Sequence, residues 1–249
     1  MRILIACDKF KGSLSAQEAC EALRDGLASA DPSSDLIVCP VADGGEGFAE
    51  AMVLARGGRW HCCESLDALG NPVNVRYGMV SNEEGGDEAV IEMAEASGLH
   101  RIPTGSRDVL RASSLGTGFM IRNAVQQGAR RILLGIGGSA TNDGGVGMLA
   151  GLGVKFLDDR GRELEPLPTS LKSLGEVDTT GMMEIPPIEV ACDVKNPLLG
   201  TNGATMVYGP QKRAPVEDLH ILEEGLTRLV EVTGLEMLAE TPGAGAAGG

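Results

Sequence analysis

The residues best suited to chemistry lie in LGIGGSATNDGGVG, Leu134 to Gly147. An apolar run of β character, Arg131 to Ile136, leads into Gly137, Gly138, Ser139, Ala140, Thr141, Asn142, Asp143, Gly144 and Gly145. This segment has almost no side-chain bulk and a row of hydroxyl, amide and carboxylate groups. Glycine lets a ligand touch the main chain. Consecutive N–H groups converging in such a turn cradle an anion, more strongly where a helix starts just after it. Val146 to Leu152 is placed to open that helix. A plain strand-to-helix turn needs one or two glycines, so four with Ser, Thr, Asn and Asp point to a ligand.

Three more polar clusters follow runs that read as strands. Asp8–Ser13 follows RILIAC (Arg2–Cys7), Asp43–Glu46 follows Leu36–Val41, and Asp193–Asn196 follows Ile188–Cys192. Buried strands alternating with helices imply an α/β fold with a largely parallel sheet. In such sheets ligands sit beyond the carboxyl ends of the strands. The four clusters together supply carboxylates (Asp8, Asp43, Glu46, Asp143, Asp193), ammonium groups (Lys9, Lys11, Lys195) and Gly-rich backbone. Phosphoryl transfer needs this set: carboxylates for Mg²⁺, cations and N–H groups for the moving phosphoryl group, and a carboxylate to orient the attacking hydroxyl.

Named templates narrow the chemistry. Gly-Lys never occurs, so there is no Walker A loop. The nucleophile elbow fails because Thr141 stands where its last Gly belongs. Gly135, Gly137 and Ala140 satisfy G-x-G-x-x-A, with Asp158 near the offset of a ribose-binding acid. An NAD-dependent oxidoreductase is therefore the rival reading. Against it, Asn142, Asp143, Gly144 and Gly145 are poor interior helix residues where the fingerprint wants a helix under way.

The elements that must position these clusters can be read along the chain. A helix is expected over Ala16–Ala30, opened by the Ser15/Glu18 capping-box spacing. Phe48–Ala55, Ser113–Gln127 and Val216–Val232 read as further helices, the last with Pro215 in its first turn. Trp60–Asp67 and Val73–Val80 read as two strands around Gly70-Asn71-Pro72, an inserted hairpin or part of a smaller second domain. Asn82–Asp87 reads as a charged loop, Gly153–Leu157 as a strand, and Asp158–Pro187 as irregular and polar. Pro242–Gly249 (PGAGAAGG) prepares another small-residue loop, as if the chain stopped before its next element.

The chain has 249 residues and a net charge of −14, which disfavours nucleic acid as a partner. No apolar run is long enough to span a bilayer, and MRILIACDKF is too short for a signal peptide, so a cytoplasmic protein with no membrane partner is expected. The six cysteines form no C-x-x-C pair and read as small buried hydrophobes in a reducing compartment.

DKFKGSLSA (Asp8–Ala16), ADGGEG (Ala42–Gly47), EMAEASGL (Glu92–Leu99), SLGTG (Ser114–Gly118), LGIGGSATNDGG (Leu134–Gly145), ACDVKNPLLG (Ala191–Gly200), YGPQK (Tyr208–Lys212) and PGAGAAGG resemble, in order, the motifs of the type I glycerate kinase family. The one local departure is Tyr208, where the family usually has Phe. Family members also continue past PGAGAAGG, so the resemblance covers their N-terminal two-thirds or so. It implies ATP-dependent, Mg²⁺-assisted phosphorylation of D-glycerate, usually to 2-phosphoglycerate, with the 3-phosphate as the other outcome. It further implies two α/β domains with the active site in the cleft between them: 1–56 with about 200–249, and about 57–199. On this reading Gly44, Gly45, Gly137, Gly138, Ser139, Thr141, Asn142 and Ser13 bind phosphate or substrate. Lys9, Lys11 and Lys195 supply charge, Asp43 and Asp143 hold Mg²⁺, and Asp193 is the base. A homodimer is the candidate assembly, and an inactive ligand-binding fragment is the non-catalytic alternative.

Overall fold

The computed structural model describes residues 1–10, 13–82 and 85–249. Lys11, expected to supply charge at the site, lies outside the described residues.

The first unit is a βαβ turn of chain. β1 (Arg2–Ile5) pairs in parallel with β2 (Asp35–Val38), and α1 (Ala16–Ala30) connects them. The helix begins where its capping chemistry dictates. Ser15 Oγ accepts from Glu18 N at 3.2 Å, and the Glu18 carboxylate accepts from Ser15 N at 2.8 Å. These two bonds satisfy backbone donors that the first turn leaves unpaired.

The chain continues through α2 (Phe48–Arg56), β3 (Arg59–Leu66), β4 (Pro72–Asn82), β5 (Gly86–Glu92), α3 (Ala94–Ser97), α4 (Leu115–Gln126) and β6 (Ala129–Gly135). Then come α5 (Val146–Gly151), β7 (Lys155–Asp158), β8 (Leu174–Asp178), β9 (Ile188–Ala191), α6 (Ala204–Tyr208), α7 (Val216–Thr233) and α8 (Glu236–Ala239). A five-stranded sheet has the order β3-β4-β5-β6-β9. Its first two pairings are antiparallel and its last two parallel. The expected hairpin therefore exists, but as the edge of this sheet.

Apolar runs in β5 and β6 follow from helices covering both faces, since side chains alternate across a strand. Val80 and Val90 pack with Phe48, Ala49 and Val53 of α2. Met79, Ala89, Ile91, Ile132 and Leu134 face the other way, against Met120, Ile121 and Ala124 of α4. α4 and α5 meet backbone to backbone: a Cβ on Gly118 would lie 2.3 Å from the Met148 carbonyl oxygen. That contact accounts for Gly118, and the close approach of the Leu66 carbonyl of β3 accounts for Gly116, the two glycines of SLGTG.

Two expectations are corrected. Residues 159–187 are not wholly irregular: Pro168–Ser173 forms a 3-10 helix and β8 pairs antiparallel with β7. Leu171 and Leu174 from this stretch are buried beneath Leu226 of α7. The same cluster takes in Ala204, so α6 and α7 pack with α5, β7 and β8. Of the six cysteines only Cys20 is buried, because Cys62 and Cys63 fall on the edge strand β3 and Cys192 in a loop.

Candidate functional site

The parallel strands β6 and β9 end side by side, with Gly135 opposite Ala191. The loops that follow them meet the loop before α2. Gly137 N donates to the Gly44 carbonyl oxygen at 3.1 Å. Gly44 has φ +87°, and a Cβ there would lie 2.8 Å from the Ala191 carbonyl oxygen. Only glycine permits this three-way approach. The result is a cleft of about 240 Å³ lined by Asp43, Gly137, Gly138, Ser139, Asp193, Tyr208 and Lys212, among others. A cleft at the carboxyl ends of parallel strands is the usual ligand position.

Asp43 and Lys9 sit at one edge. Asp43 Oδ1 accepts from Gly45 N at 3.0 Å and lies 3.4 Å from Lys9 Nζ. Burial pushes the Asp43 carboxyl up, but the Gly45 N–H and the Lys9 ammonium outweigh it and hold the group below its ordinary range. Lys9 also lies 3.8 Å from Asp8 Oδ1. Asp193 is exposed on the loop after β9. With burial and Cys192, it raises the Tyr208 phenol.

The Gly-rich loop is held from behind. Leu99 N donates to the Gly138 carbonyl oxygen at 2.9 Å, and Ala140 N to that of Ser97 at 2.8 Å. This explains EMAEASGL, whose residues brace the loop. Ser139, Thr141 and Asn142 are buried, whereas Gly138 is exposed at the cleft. Thr141 Oγ1 is enclosed without a hydrogen-bond partner among the described residues. Asn142 Nδ2 donates to the Gly248 carbonyl oxygen, so its amide faces loop 242–249.

Asp143, expected to hold magnesium, is instead enclosed at 1% exposure. Its Oδ2 accepts from Ser114 N at 2.7 Å, Ser114 Oγ at 2.8 Å and Gly147 N at 3.2 Å. Its Oδ1 accepts from Gly145 N at 3.1 Å. Burial pushes this carboxyl up while those donors pull it back. The helix expected after the loop does start at Val146, but Asp143 has taken N–H groups at its start. Those N–H groups are therefore already occupied by a side chain of the loop itself.

The structure does not bring every expected residue to this cleft. Lys195 is exposed and is not among the lining residues. Ser13 lines a second cleft of about 360 Å³ together with Lys9, Trp60, Arg76 and Glu92. Lys9 thus stands between the two clefts. Asp158 ends β7 in the separate β7–β8 sheet, bound to Arg162 and to backbone N–H groups, and is not among the residues lining the cleft beside Gly137–Ser139.

Two charged residues were missed by sequence reasoning. Glu92 ends β5 at 6% exposure, its Oε1 accepting from Ala49 N at 2.7 Å. Burial raises its carboxyl to about 7. Lys212 is 3% exposed, and burial pulls its ammonium down to about 7. Its place in YGPQK was the available signal. Among the described residues no group of three or more His, Cys, Asp or Glu is arranged to hold a metal ion. Magnesium commonly takes one or two carboxylates and completes its shell with phosphate oxygens and water. Asp43 and Asp193, both exposed in the cleft, suit that pattern. No helix among the described residues is long and apolar enough to cross a membrane.

The chain is 44% identical to a glycerate kinase of Bacillus subtilis (strain 168) and 43% identical to a glycerate 2-kinase of Escherichia coli (strain K12). Each match covers all of this chain, which spans 66% of the length of either relative. A crystal structure from Salmonella typhimurium LT2, assigned as a glycerate kinase 2, superposes with a TM-score of 0.87 at 43% identity, covering 100% of this chain and 67% of the other. The family model for the glycerate kinase family matches residues 3–249, and the chain belongs to that family.

Proposed function

We propose that this chain carries the phosphoryl-transfer site of a cytoplasmic, ATP-dependent glycerate kinase. It would move the terminal phosphoryl group of ATP to D-glycerate, giving 2-phosphoglycerate, with 3-phosphoglycerate as the alternative product. The supporting observation is the meeting of three loops through Gly44, Gly137 and Ala191, which gathers Asp43, Gly138, Ser139 and Asp193 around one cleft with Lys9 at its edge.

In this reading Gly138 lets phosphate oxygens approach the main chain, while Gly137 holds its loop against the Gly44–Gly45 turn that forms the facing wall. Asp193 orients the glycerate hydroxyl and takes its proton. The hydroxyl oxygen then bonds to phosphorus as the bond from phosphorus to the ADP oxygen breaks. Lys9 brings positive charge to the edge of the cleft, with Lys195 a further charge beyond Asp193. Asp43 would hold magnesium, which when bound neutralises the phosphate oxygens. Asp143 serves the site by fixing the loop.

The test couples ADP formation to a colour change, with ATP, Mg²⁺ and D-glycerate. It is run on this chain and on a chimera completed with the remaining part of the Bacillus subtilis relative. Glycerate-dependent ADP formation is expected. Asp193→Asn lowers kcat at least ~100-fold, the scale of a lost general base, with an unchanged melting temperature. A folded chimera that forms no ADP, or an Asp193→Asn variant with near-normal turnover, refutes the function or the role respectively.

A further inference from the structure

Lys212 is a buried cation that no carboxylate touches among the described residues. Its Nζ donates to Ser139 Oγ at 3.1 Å and to the carbonyl oxygens of Thr141 and Ala247. Ser139 Oγ donates to the same Ala247 oxygen. Two donors, one of them charged, thus converge on a single oxygen beside the cleft that both residues line. Ala247 holds that oxygen in place from a left-handed conformation, φ +58°, which a residue with a Cβ rarely adopts. The charged or titratable groups facing Lys212 are Asp143 behind the Gly-rich loop, Cys192 and Asp193 on the loop after β9, Tyr208 on α6, and Asp43 at the far wall. A buried charge without a contacting counter-ion is costly, and an anion in the cleft would relieve that cost.

We propose that Lys212 Nζ and Ser139 Oγ form an anion-binding pair, and that a phosphate-type oxygen takes the place held by the Ala247 carbonyl oxygen. This rests on the reading of the cleft as the phosphoryl-transfer site and adds the residue that would carry the charge there. Loop 242–249 then gives way when the anion enters, while the ammonium stays and gains a counter-ion. Because the ammonium titrates near 7, the anion binds most tightly below that pH and more weakly above it.

Sulfate is the probe, since it keeps its charge from about pH 6 to about pH 9, where a phosphate monoester changes its own. Thermal stabilisation by sodium sulfate is compared with sodium chloride at matched ionic strength. The wild type and the Lys212→Met, Lys212→Arg and Ser139→Ala variants are measured. Wild type is expected to be stabilised by sulfate, with half-saturation rising as pH passes about 7. Lys212→Met weakens binding about tenfold or more, the scale of a charge-assisted hydrogen bond. Lys212→Arg binds with a flat pH profile, because arginine stays charged. Ser139→Ala binds less tightly and keeps the pH slope. A purely structural tether would lower the melting temperature of Lys212→Met and leave sulfate half-saturation unmoved, which overturns the proposal. So does a wild type indifferent to sulfate, or a pH slope that survives in Lys212→Arg. If Lys212→Met does not fold, the arginine and alanine variants still decide. Kinase activity with a sulfate response independent of Lys212 sinks this inference alone. A Lys212-dependent response in an inactive, folded chimera sinks the kinase reading and leaves the anion site standing.

Discussion

Replacing Glu92 by Gln should stabilise the protein at neutral and alkaline pH. Glu92 is 6% exposed at the end of β5, and burial raises its carboxyl from an ordinary 4.5 to about 7, although the Ala49 N–H pulls the other way. A carboxyl raised on folding binds its proton more tightly in the folded than in the unfolded chain. Stability is therefore fully present at low pH and is lost as pH climbs from about 4.5 through about 7. At about 1.4 kcal/mol per pH unit, the whole loss is about 3 kcal/mol. Gln keeps an oxygen that can accept from Ala49 N, now 2.7 Å from Glu92 Oε1, and carries no charge to desolvate. Glu92→Gln should then exceed wild type by about 3 kcal/mol near pH 8.5, and by under about 1 kcal/mol near pH 5. For a chain of this size the larger gap is roughly 6–12 °C in Tm. Urea unfolding followed by circular dichroism at both pH values measures it. Wild-type and variant stabilities that run parallel from pH 5 to about pH 8.5 would refute the argument, because the ionisation of Glu92 would then cost nothing. A cost retained beside Lys9 in the second cleft has the character of a functional compromise rather than a packing choice.

Asp143→Asn should destabilise the fold by about 2–4 kcal/mol, because an amide cannot accept from the four donors now shared by the two oxygens. Thermal unfolding checks it, and a Tm within about 2 °C of wild type contradicts the loop-fixing role. Gly44→Ala meets both a left-handed backbone, φ +87°, and the Ala191 carbonyl oxygen at 2.8 Å. It should cost about 1–3 kcal/mol and open the contact between the Gly44 and Gly137 loops. Loss of ADP-forming activity ahead of loss of fold would show that the contact serves the cleft.

The parts of this molecule that were legible in the sequence are those where local chemistry and tertiary packing agree. Ser15 and Glu18 set the start of α1 because both halves of a capping box lie within four residues. The polar clusters after Arg131–Ile136 and Ile188–Cys192 do converge, since neighbouring parallel strands deliver their carboxyl ends to one side, and the cluster after Leu36–Val41 joins them through the Gly44–Gly137 contact although β2 lies in a separate sheet. What stayed hidden depends on distant partners. Leu171 and Leu174 stand in a polar stretch, and only the arrival of α7 shows that they are core. Lys212 reads as surface, because lysine is almost never fully buried. Asp143 reads as a ligand, although its position three residues before Val146 and beside Gly144 and Gly145 is equally that of a side chain capping its own loop.

Glycine carries the same ambiguity, and exposure resolves it. Gly118 and Gly151 are buried where α4 and α5 touch, and they exist to let two backbones meet. Gly138, with φ +73°, is exposed at the cleft, and the nearest atom to a Cβ there would be that of Ala94 at 3.6 Å. A side chain at Gly118 would strike protein, whereas one at Gly138 would stand in the open cleft. By the same measure Gly135 and Gly137 are packing glycines, pressed against Gly44 and Gly45, and Gly138 alone of the three opens onto the cleft, a distinction that rests on what faces each glycine and not on how many there are.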